Sequence, residues 1–525
     1  MKKNIYKWHR TSSLIIAIPV LLWAISGFMH PIMTNVRPQL STQFMPPTVI
    51  DSSKLKIPLQ DALSINHIDS FQSFRIVHID TNWFYQIKML QQDELLYIST
   101  QTGKTLKKGD WIYAQYLARY FLEGGKSKNT PGTHAINSKQ EEPRHPDCCD
   151  AAAAFVLKPT QGAKITTIHS LKNFDNEYKS INKLLPVYKV SFERKDGIRI
   201  YVETGQDRFA FAIDNKRALF STLFAWFHTW EWLQFLGKGR VFFELFFTGL
   251  AFITSLMGIY IFFITKTKKS SNNGLVKARK NHRIVSMVAV LFTLMFSLSG
   301  FYHATTKLKE EQYNIRLQQN YATKDIRFNP SEILQSVKQP VTNIQLATIN
   351  HIAYWQVFIK KNTFKEAGKP SKDLMKEMGV TPPIVQYVNT KDYSILTDGE
   401  RIYAHSLANT FSHHTSSNIL SDSVISKFAG EYGFINKRLP VWRINYNTNK
   451  QERYYIETTS ATLATIINDD DLKEAYSFNF LHKHHFMDFA GKGWRDFSTM
   501  FWAAAQVAMV IIGLILYFKA KARKM

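Results

Sequence analysis

The 525-residue chain is poor in cysteine and in acidic residues. Its two cysteines are adjacent, as Cys148 and Cys149, and a pair this close forms only a strained ring. A disulfide framework is therefore excluded as a source of stability. The 41 Asp and Glu face 66 Lys and Arg, which gives a formal net charge of +25. A basic balance of this size suggests a nucleic acid or an anionic membrane surface as partner.

Several sequence motifs are also absent. The chain has no G-x-G-x-x-G after a predicted strand, no G-x-x-x-x-G-K-[ST], no H-E-x-x-H and no G-x-S-x-G. Nicotinamide and flavin domains, P-loop enzymes, zinc proteases and α/β-hydrolases are therefore not indicated. No stretch interleaves aromatic and basic residues as a nucleic-acid platform would, so we predict no nucleic-acid partner.

Four long apolar runs are present, although the mean hydropathy of −0.20 is typical of a soluble protein. Each approaches or exceeds the roughly 20 residues that a bilayer requires. They are Leu14–Met29, Val241–Thr265, Ile284–Tyr302 and Phe497–Phe518. One such run could be a buried core helix, and the first could be a cleaved signal peptide. Four of them, with no A-x-A site after the first, predict four retained transmembrane helices.

Lys and Arg cluster before the first run, between the second and third, and after the fourth. Because basic flanks stay on the cytoplasmic side, both termini are predicted to be cytoplasmic. The predicted segments are a cytoplasmic N-terminus 1–10, a span 11–30, an outer domain 31–240, a span 241–265, a basic cytoplasmic loop 266–283, a span 284–303, an outer domain 304–496, a span 497–518 and a cytoplasmic tail 519–525.

The two halves of the chain repeat each other. INKLLPVYKV at 181–190 matches INKRLPVWRI at 435–444, and RIYVETG at 199–205 matches RYYIETT at 453–459. Alternating strand-like segments and helical patterns at 110–123 and 400–412 predict α+β outer domains. The predicted fold is therefore an internally duplicated integral membrane protein with four transmembrane helices and two α+β outer domains.

Six histidines occupy matched positions at the ends of the predicted spans. The matched pairs are His9 with His282, His30 with His303, and His228 with His482. Neutral imidazoles from two helices are suitable axial ligands for haem iron. His9 and His30 would lie about 32 Å apart along one helix, roughly the thickness of a bilayer core. Alternatively, all six are membrane-interface anchors, and His9 and His282, each beside an arginine, contact lipid phosphate.

Two further groups of residues are candidate metal ligands, and neither group has a counterpart in the other half of the repeat. His484 and His485 form H-x-H-H with His482, a pattern that suits a surface metal site. Cys148 and Cys149 lie beside His145, so their thiolates could bind a soft metal or act as a redox pair. The alternative for the cysteines is a structural loop.

These features resemble the PepSY-associated transmembrane family. The resemblance rests on the basic starts ending in His-Arg at 7–10 and 279–283, on SGFMH at 26–30 and SGFYH at 299–303, and on PepSY-like strand-rich outer domains. Some members are bacterial inner-membrane reductases that hold two b-type haems and reduce ferric siderophores in the periplasm. The resemblance implies two bis-histidine haems b, with the six matched histidines as the candidates for their four ligands and with iron as substrate.

The resemblance leaves the electron donor open, as quinol in the bilayer or a separate cytoplasmic reductase. A basic outer surface would attract anionic ferric chelates, and Lys183 and Arg438 are either contacts for them or ordinary solvated charges. A competing hypothesis is a non-enzymatic membrane protein whose PepSY-like domains bind a peptide, a metal or a protein as a transport accessory. Copper handling by the cysteines with His484 and His485 is a third hypothesis.

Overall fold

A computed structural model describes residues 2–124, 162–265, 274–309, 315–326, 330–360 and 380–522. Contacts divide the chain into two compact units. The helical unit comprises residues 1–37, 214–311 and 469–525, and the sheet unit comprises residues 38–213 and 312–468. Cys148 and Cys149 lie outside the described residues.

Four helices are long and apolar enough to cross a membrane, which confirms the prediction of four membrane-length helices. They are α1 (Lys2–Asn35), α5 (Gly239–Ile264), α6 (Gly274–Thr306) and α10 (Lys492–Ala522). Three of them extend well beyond their apolar runs. Residues 274–283, predicted as part of a cytoplasmic loop, are therefore helical.

The four long helices form a bundle in which α1 and α6 each pack against both α5 and α10. Small residues stand where the helices approach closely. Gly27 faces Ala503, Gly300 faces Thr248, and Ala251 is buried. Small side chains let helix backbones come close, which is how helices associate in a bilayer.

Two short helical segments complete the helical unit, one before α5 and one before α10. The first consists of α4 (Asn215–Phe227) and a 3₁₀ turn (Glu231–Leu236). The second consists of α9 (Asp469–Ser477), a π turn (Phe478–His482) and a 3₁₀ turn (His485–Ala490). The structure breaks both segments at matched residues with positive φ, Trp230 at 45° and His484 at 55°.

In the part of the chain that the structure describes, the sheet unit contains antiparallel meanders and four α-helices. The first half supplies β1 (Ser70–Phe71), β2 (Ser73–Ile79), β3 (Asn82–Lys88), β4 (Leu95–Ser99), β5 (Ile165–Leu171), β6 (Val187–Phe192), β7 (Arg199–Glu203) and β8 (Arg208–Ile213). The second half supplies β9 (Ile315–Arg316), β10 (Tyr321–Ala322), β11 (Val341–Ile349), β12 (Ile352–Ile359), β13 (Ile384–Asn389), β14 (Ile395–Leu396), β15 (Ile419–Ile425), β16 (Val441–Tyr446), β17 (Arg453–Glu457) and β18 (Thr462–Ile467). The helices are α2 (Leu59–Ile65), α3 (Gly109–Glu123), α7 (Pro330–Val337) and α8 (Gly399–Ser412).

The main sheets follow sequence order, as expected for hairpin-connected strands, except that β9 is added beside β18. Their orders are β2-β3-β4, β5-β6-β7-β8, β11-β12-β13-β14 and β15-β16-β17-β18-β9. The α+β prediction is thus confirmed, and the predicted helices 110–123 and 400–412 correspond to α3 and α8.

The two outer segments, predicted as separate domains, share one compact unit. Strand β1 pairs with β10 across the halves, with Phe71 opposite Tyr321. Phe74 and Trp355, from matched sheets, lie in the same hydrophobic core and contact each other edge to face at 5.8 Å. Because this core draws on both halves, neither half encloses its own apolar residues completely.

A buried ion-pair network also joins the halves. Arg208 binds Glu203 from its own half at 2.9 Å and Glu457 from the other half. Arg438 binds Glu457 at 2.6 Å and is 5% exposed. The structure therefore corrects the expectation that Arg438 offers its charge to a ligand, since the charge is used inside the protein. Lys183 donates to Asn436 at 2.7 Å.

Candidate functional site

Six aromatic rings form a row in the helical unit, which we call the aromatic row. In order, its members are His30, Phe224, His228, His482, Phe478 and His303. The successive ring centroids are 5.3, 4.6, 6.1, 4.7 and 4.3 Å apart. The first three members and the last three are matched by the repeat. The four outer histidines predicted from sequence are thus brought together, with one phenylalanine between each pair from the same half.

Matched serines orient the two central histidines. Ser26 Oγ lies 3.0 Å from His228 Nδ1, and Ser299 Oγ lies 3.1 Å from His482 Nδ1. Both serines are buried in long helices and also donate to carbonyl groups one turn earlier. Because Nδ1 is engaged in each ring, Nε2 is the atom available for a further ligand.

The central histidines are held in the neutral form. Desolvation lowers the pKa of His228 to about 3, and Coulombic interactions with His30, Lys307 and His303 add to this shift. Desolvation also lowers the pKa of His482 well below its usual value, and the Coulombic interaction with His228 is the next largest cause of this lowering. A neutral imidazole has a free ring nitrogen, which is the form that coordinates a metal.

The outer members of the aromatic row differ between the halves. His303 Nδ1 lies 2.8 Å from Glu474 Oε1. The residue matched to Glu474 is Phe220, so His30 has no equivalent carboxylate at that position. His30 instead lies beside Phe224.

His9 and His282 occupy the other end of the bundle and lie within electrostatic range of each other. His9 Nδ1 lies 3.2 Å from the Thr254 carbonyl oxygen, and His282 bonds the backbone of Met509. Each ring also fills the space beside a glycine. A Cβ would lie 3.3 Å from His9 Cε1 at Gly258, and one at Gly513 would lie 3.2 Å from His282 Cε1. The helix partners thus hold both imidazoles in the same way.

The H-x-H-H histidines do not converge. His482 contacts Ser299, His484 Nδ1 lies 3.0 Å from Ser498 Oγ, and His485 Nδ1 lies 2.8 Å from Asp488 Oδ2. In the described part of the chain, no three His, Cys, Asp or Glu side chains are grouped to hold a metal ion. The metal role of His484 and His485 stays a prediction, as does that of the cysteines outside the described residues.

The chemistry of the central donor set is compatible with haem iron, which takes neutral imidazoles as ligands. His228 and His482 are 6.1 Å apart, and their planes meet at 84°. Imidazoles whose other nitrogen is hydrogen-bonded are the usual form of a metal-ligating histidine.

Sequence reasoning missed the residues that position the histidines. Ser26 and Ser299 stood in the matched SGF motifs but were taken only as part of a repeat signature, and Phe224 and Phe478 were not singled out. Their repetition at matched positions is the signal that finds them. The chain matches no family model, and the comparison with curated proteins found no similar protein.

Proposed function

We propose that this chain is a haem b protein of the bacterial inner membrane. It transfers electrons across the bilayer and reduces a ferric chelate, such as a ferric siderophore, on the periplasmic side. The observation that carries the proposal is the central pair of the aromatic row. Its two neutral imidazoles come from opposite halves, lie 6.1 Å apart and are each fixed by a matched serine.

In this proposal His228 and His482 hold one haem, and His9 and His282 hold the second at the other end of the bundle. Bound haem supplies a one-electron carrier. Attachment is non-covalent, because the chain has no C-x-x-C-H sequence. His30 and His303 then lie next to the first pair of ligands, separated from it by Phe224 and Phe478. They remain candidate ligands if His228 and His482 are not the pair that holds this haem.

The direction of transfer rests on the resemblance to the PepSY-associated transmembrane family and on the basic flanks of the spans. Both termini are cytoplasmic in this proposal, and the sheet unit faces the periplasm. Electrons come from quinol or from a cytoplasmic reductase. Fe(II) is released because the chelators concerned bind it more weakly than Fe(III).

A reduced-minus-oxidised visible spectrum of the purified full chain tests the proposal. We expect b-type haem bands after haem-replete expression, and their oxidation when a ferric chelate is added. A preparation without haem bands would refute the proposal and favour the alternative, in which the chain is a non-enzymatic anchor for PepSY-like binding domains.

Single alanine replacements then test the ligand pairs. His228→Ala and His482→Ala should each remove the same half of the haem, and His9→Ala and His282→Ala should each remove the other half. His169→Ala is the matched control, because His169 lies on an exposed part of β5. Unchanged haem content in all four variants would refute the assignment.

A further inference from the structure

A cleft in the sheet unit lies between the two halves of the chain and is lined largely by amides and cations. Its glutamines come from both halves, as Gln72, Gln86, Gln206, Gln318, Gln319, Gln345 and Gln356. Its cations are Arg75, Lys88 and Arg316. No residue lining the cleft is Asp or Glu in the part of the chain that the structure describes.

Arg75 is already neutralised. Its guanidinium donates to Asp207 at 2.8 Å and to the Thr204 carbonyl at 2.7 Å. Arg75 also donates to Gln86, and its side chain is 7% exposed. It therefore forms part of the wall and does not supply free charge.

Lys88 and Arg316 are different. Lys88 Nζ donates to the Gln92 and Asp93 carbonyl oxygens, which leaves one of its three N–H groups. Arg316 donates through Nε to the Ser460 carbonyl oxygen at 2.9 Å, which leaves its terminal nitrogens. Within the described residues, neither side chain forms a direct salt bridge, because the nearby carboxylates are paired elsewhere: Asp93 with Lys172, and Glu203 and Glu457 with Arg208.

The two cations also lie close to each other. Burial lowers the pKa of Lys88, Asp93 opposes that shift, and the positive charge of Arg316 adds to it. Lys88 is half-buried, Arg316 is exposed as a whole residue, and both line the cleft. The carboxylates within electrostatic range of them, Asp93 and Asp110 for Lys88 and Glu203 and Glu457 for Arg316, lie outside the lining of the cleft. An anion in the cleft would therefore meet two cations and no carboxylate of the lining.

The interior of the cleft has about 70 Å³ of space. That is enough for about five water molecules, or for one small group with several oxygen atoms. Glutamine amides can donate to such oxygens and accept from a hydroxyl group. The surroundings therefore suit a hydroxylated carboxylate better than an apolar ligand.

We propose that this cleft binds the carboxylates of a small polycarboxylate anion, with Lys88 and Arg316 as its charged contacts. The anion arrives either free or as the ligand of a ferric complex. That the anion arrives in a ferric complex rests on the proposed reductase function, whereas the binding of a carboxylate anion does not.

Calorimetric titration of the full chain in detergent micelles tests this, with citrate and with gallium(III) citrate as the two probes. Gallium(III) resembles iron(III) but is not reduced under these conditions, so binding is measured without electron transfer. We expect both probes to bind, and the affinity to fall as salt is added. Tighter binding of gallium citrate supports a ferric complex as the ligand. Tighter binding of free citrate refutes the ferric complex as the ligand but not the binding of carboxylates.

Lys88→Gln and Arg316→Gln should each weaken binding about tenfold, because each removes a charge-assisted hydrogen bond. Lys88→Arg should retain most of the affinity. The matched controls are Lys164→Gln and Arg194→Gln, which remove the same charges from exposed pairs with Glu193 and Asp196.

Two results would overturn the proposal: no binding of either probe to the unaltered chain, or equal binding by the cleft variants and the controls. Unfolding midpoints of all variants must agree for the comparison to stand, and Lys88→Arg covers the case in which Lys88→Gln misfolds. Haem bands without citrate binding refute this inference alone. Citrate binding by a chain that lacks haem refutes the proposed function alone.

Discussion

The two halves of the helical unit differ at one buried position inside the same backbone. In the first half Trp230 stacks on Trp23 with ring centroids 4.9 Å apart. In the second half His484 stacks on Phe296, the residue matched to Trp23, at 5.2 Å. Both Trp230 and His484 have positive φ. The backbone break and the ring stack are thus maintained while the polarity of the stack changes.

The halves of the sheet unit differ in a similar way. The first half has the buried pair Arg75 and Asp207, and the second half has Gln345 and Ala461 at the matched positions. Asp207 and Ala461 have φ of 52° and 49°. The same fold forms with and without the ion pair. The pair is therefore a property of the first half, next to the proposed anion cleft, and not a requirement of the repeat.

The largest expected effect on stability comes from breaking that pair. Asp207→Ala leaves Arg75 buried without its carboxylate, and should lower the free energy of unfolding by about 3–5 kcal/mol. The double variant Arg75→Gln with Asp207→Ala copies the second half and should cost less than Asp207→Ala alone. Thermal unfolding of the full chain in micelles measures both. A double variant less stable than the single one would contradict the comparison.

Acid should remove the contribution that the ionised Glu457, in the second half, makes to the free energy of unfolding. Burial alone would raise the pKa of Glu457, but Arg208 and Arg438 outweigh it and lower the pKa from 4.5 to about 2. The stabilisation is then complete above pH 4.5 and is lost as the pH falls towards 2, with a size of roughly 3 kcal/mol.

Unfolding measured between pH 5 and pH 2 checks this sign. The matched residue of Arg438 in the first half is Leu184, so Arg438→Leu removes one of the two cations that lower the pKa. This variant should lose less stability on acidification than the unaltered chain. An identical acid dependence in both proteins would show that Arg438 does not act on Glu457.

Two matched glycines should respond equally to substitution. A Cβ would lie 2.7 Å from the Tyr97 ring at Gly109, and 2.8 Å from Tyr387 at Gly399. Gly109→Ala and Gly399→Ala should each lower the free energy of unfolding by about 1–3 kcal/mol, because the tyrosines are fully buried. Gly205→Ala is the control, since nothing lies within 4 Å of its Cβ position. Unequal losses would show that the two sites are packed differently.

The smallest effect concerns His484. Its Nε2 is buried without a hydrogen-bond partner, and the residue is 0% exposed. Replacing it with Phe removes this unsatisfied atom but also loses the bond to Ser498, so His484→Phe should raise the free energy of unfolding by about 1 kcal/mol. Ser498→Ala, which removes only the bond, is the control. Loss of haem or of a bound metal on His484→Phe would instead assign this histidine to a site.

Helices and strands were predictable where the pattern is local. The segments that form α5 and α10 contain long apolar runs, and in the segment that forms α3 the apolar residues recur at helical spacing. The breaks at Trp230 and His484 were not predictable, because tryptophan rarely adopts positive φ and because each ring stacks on a residue distant in sequence, Trp23 of α1 or Phe296 of α6. The candidate site was half predictable. The six histidines follow from the repeat, but the Ser26 and Ser299 contacts depend on how two distant segments pack.

The sequence by itself determined the four membrane-length helices, the duplication and the matched histidines, because apolar length, repeat spacing and residue type are local properties of the chain. Only the tertiary structure decided that the two outer segments share one core, that Arg438 is paired with Glu457, and that the outer histidines form a row. These contacts join residues about 20 to 280 positions apart in sequence. Their existence depends on the packing of whole elements, which no local pattern records.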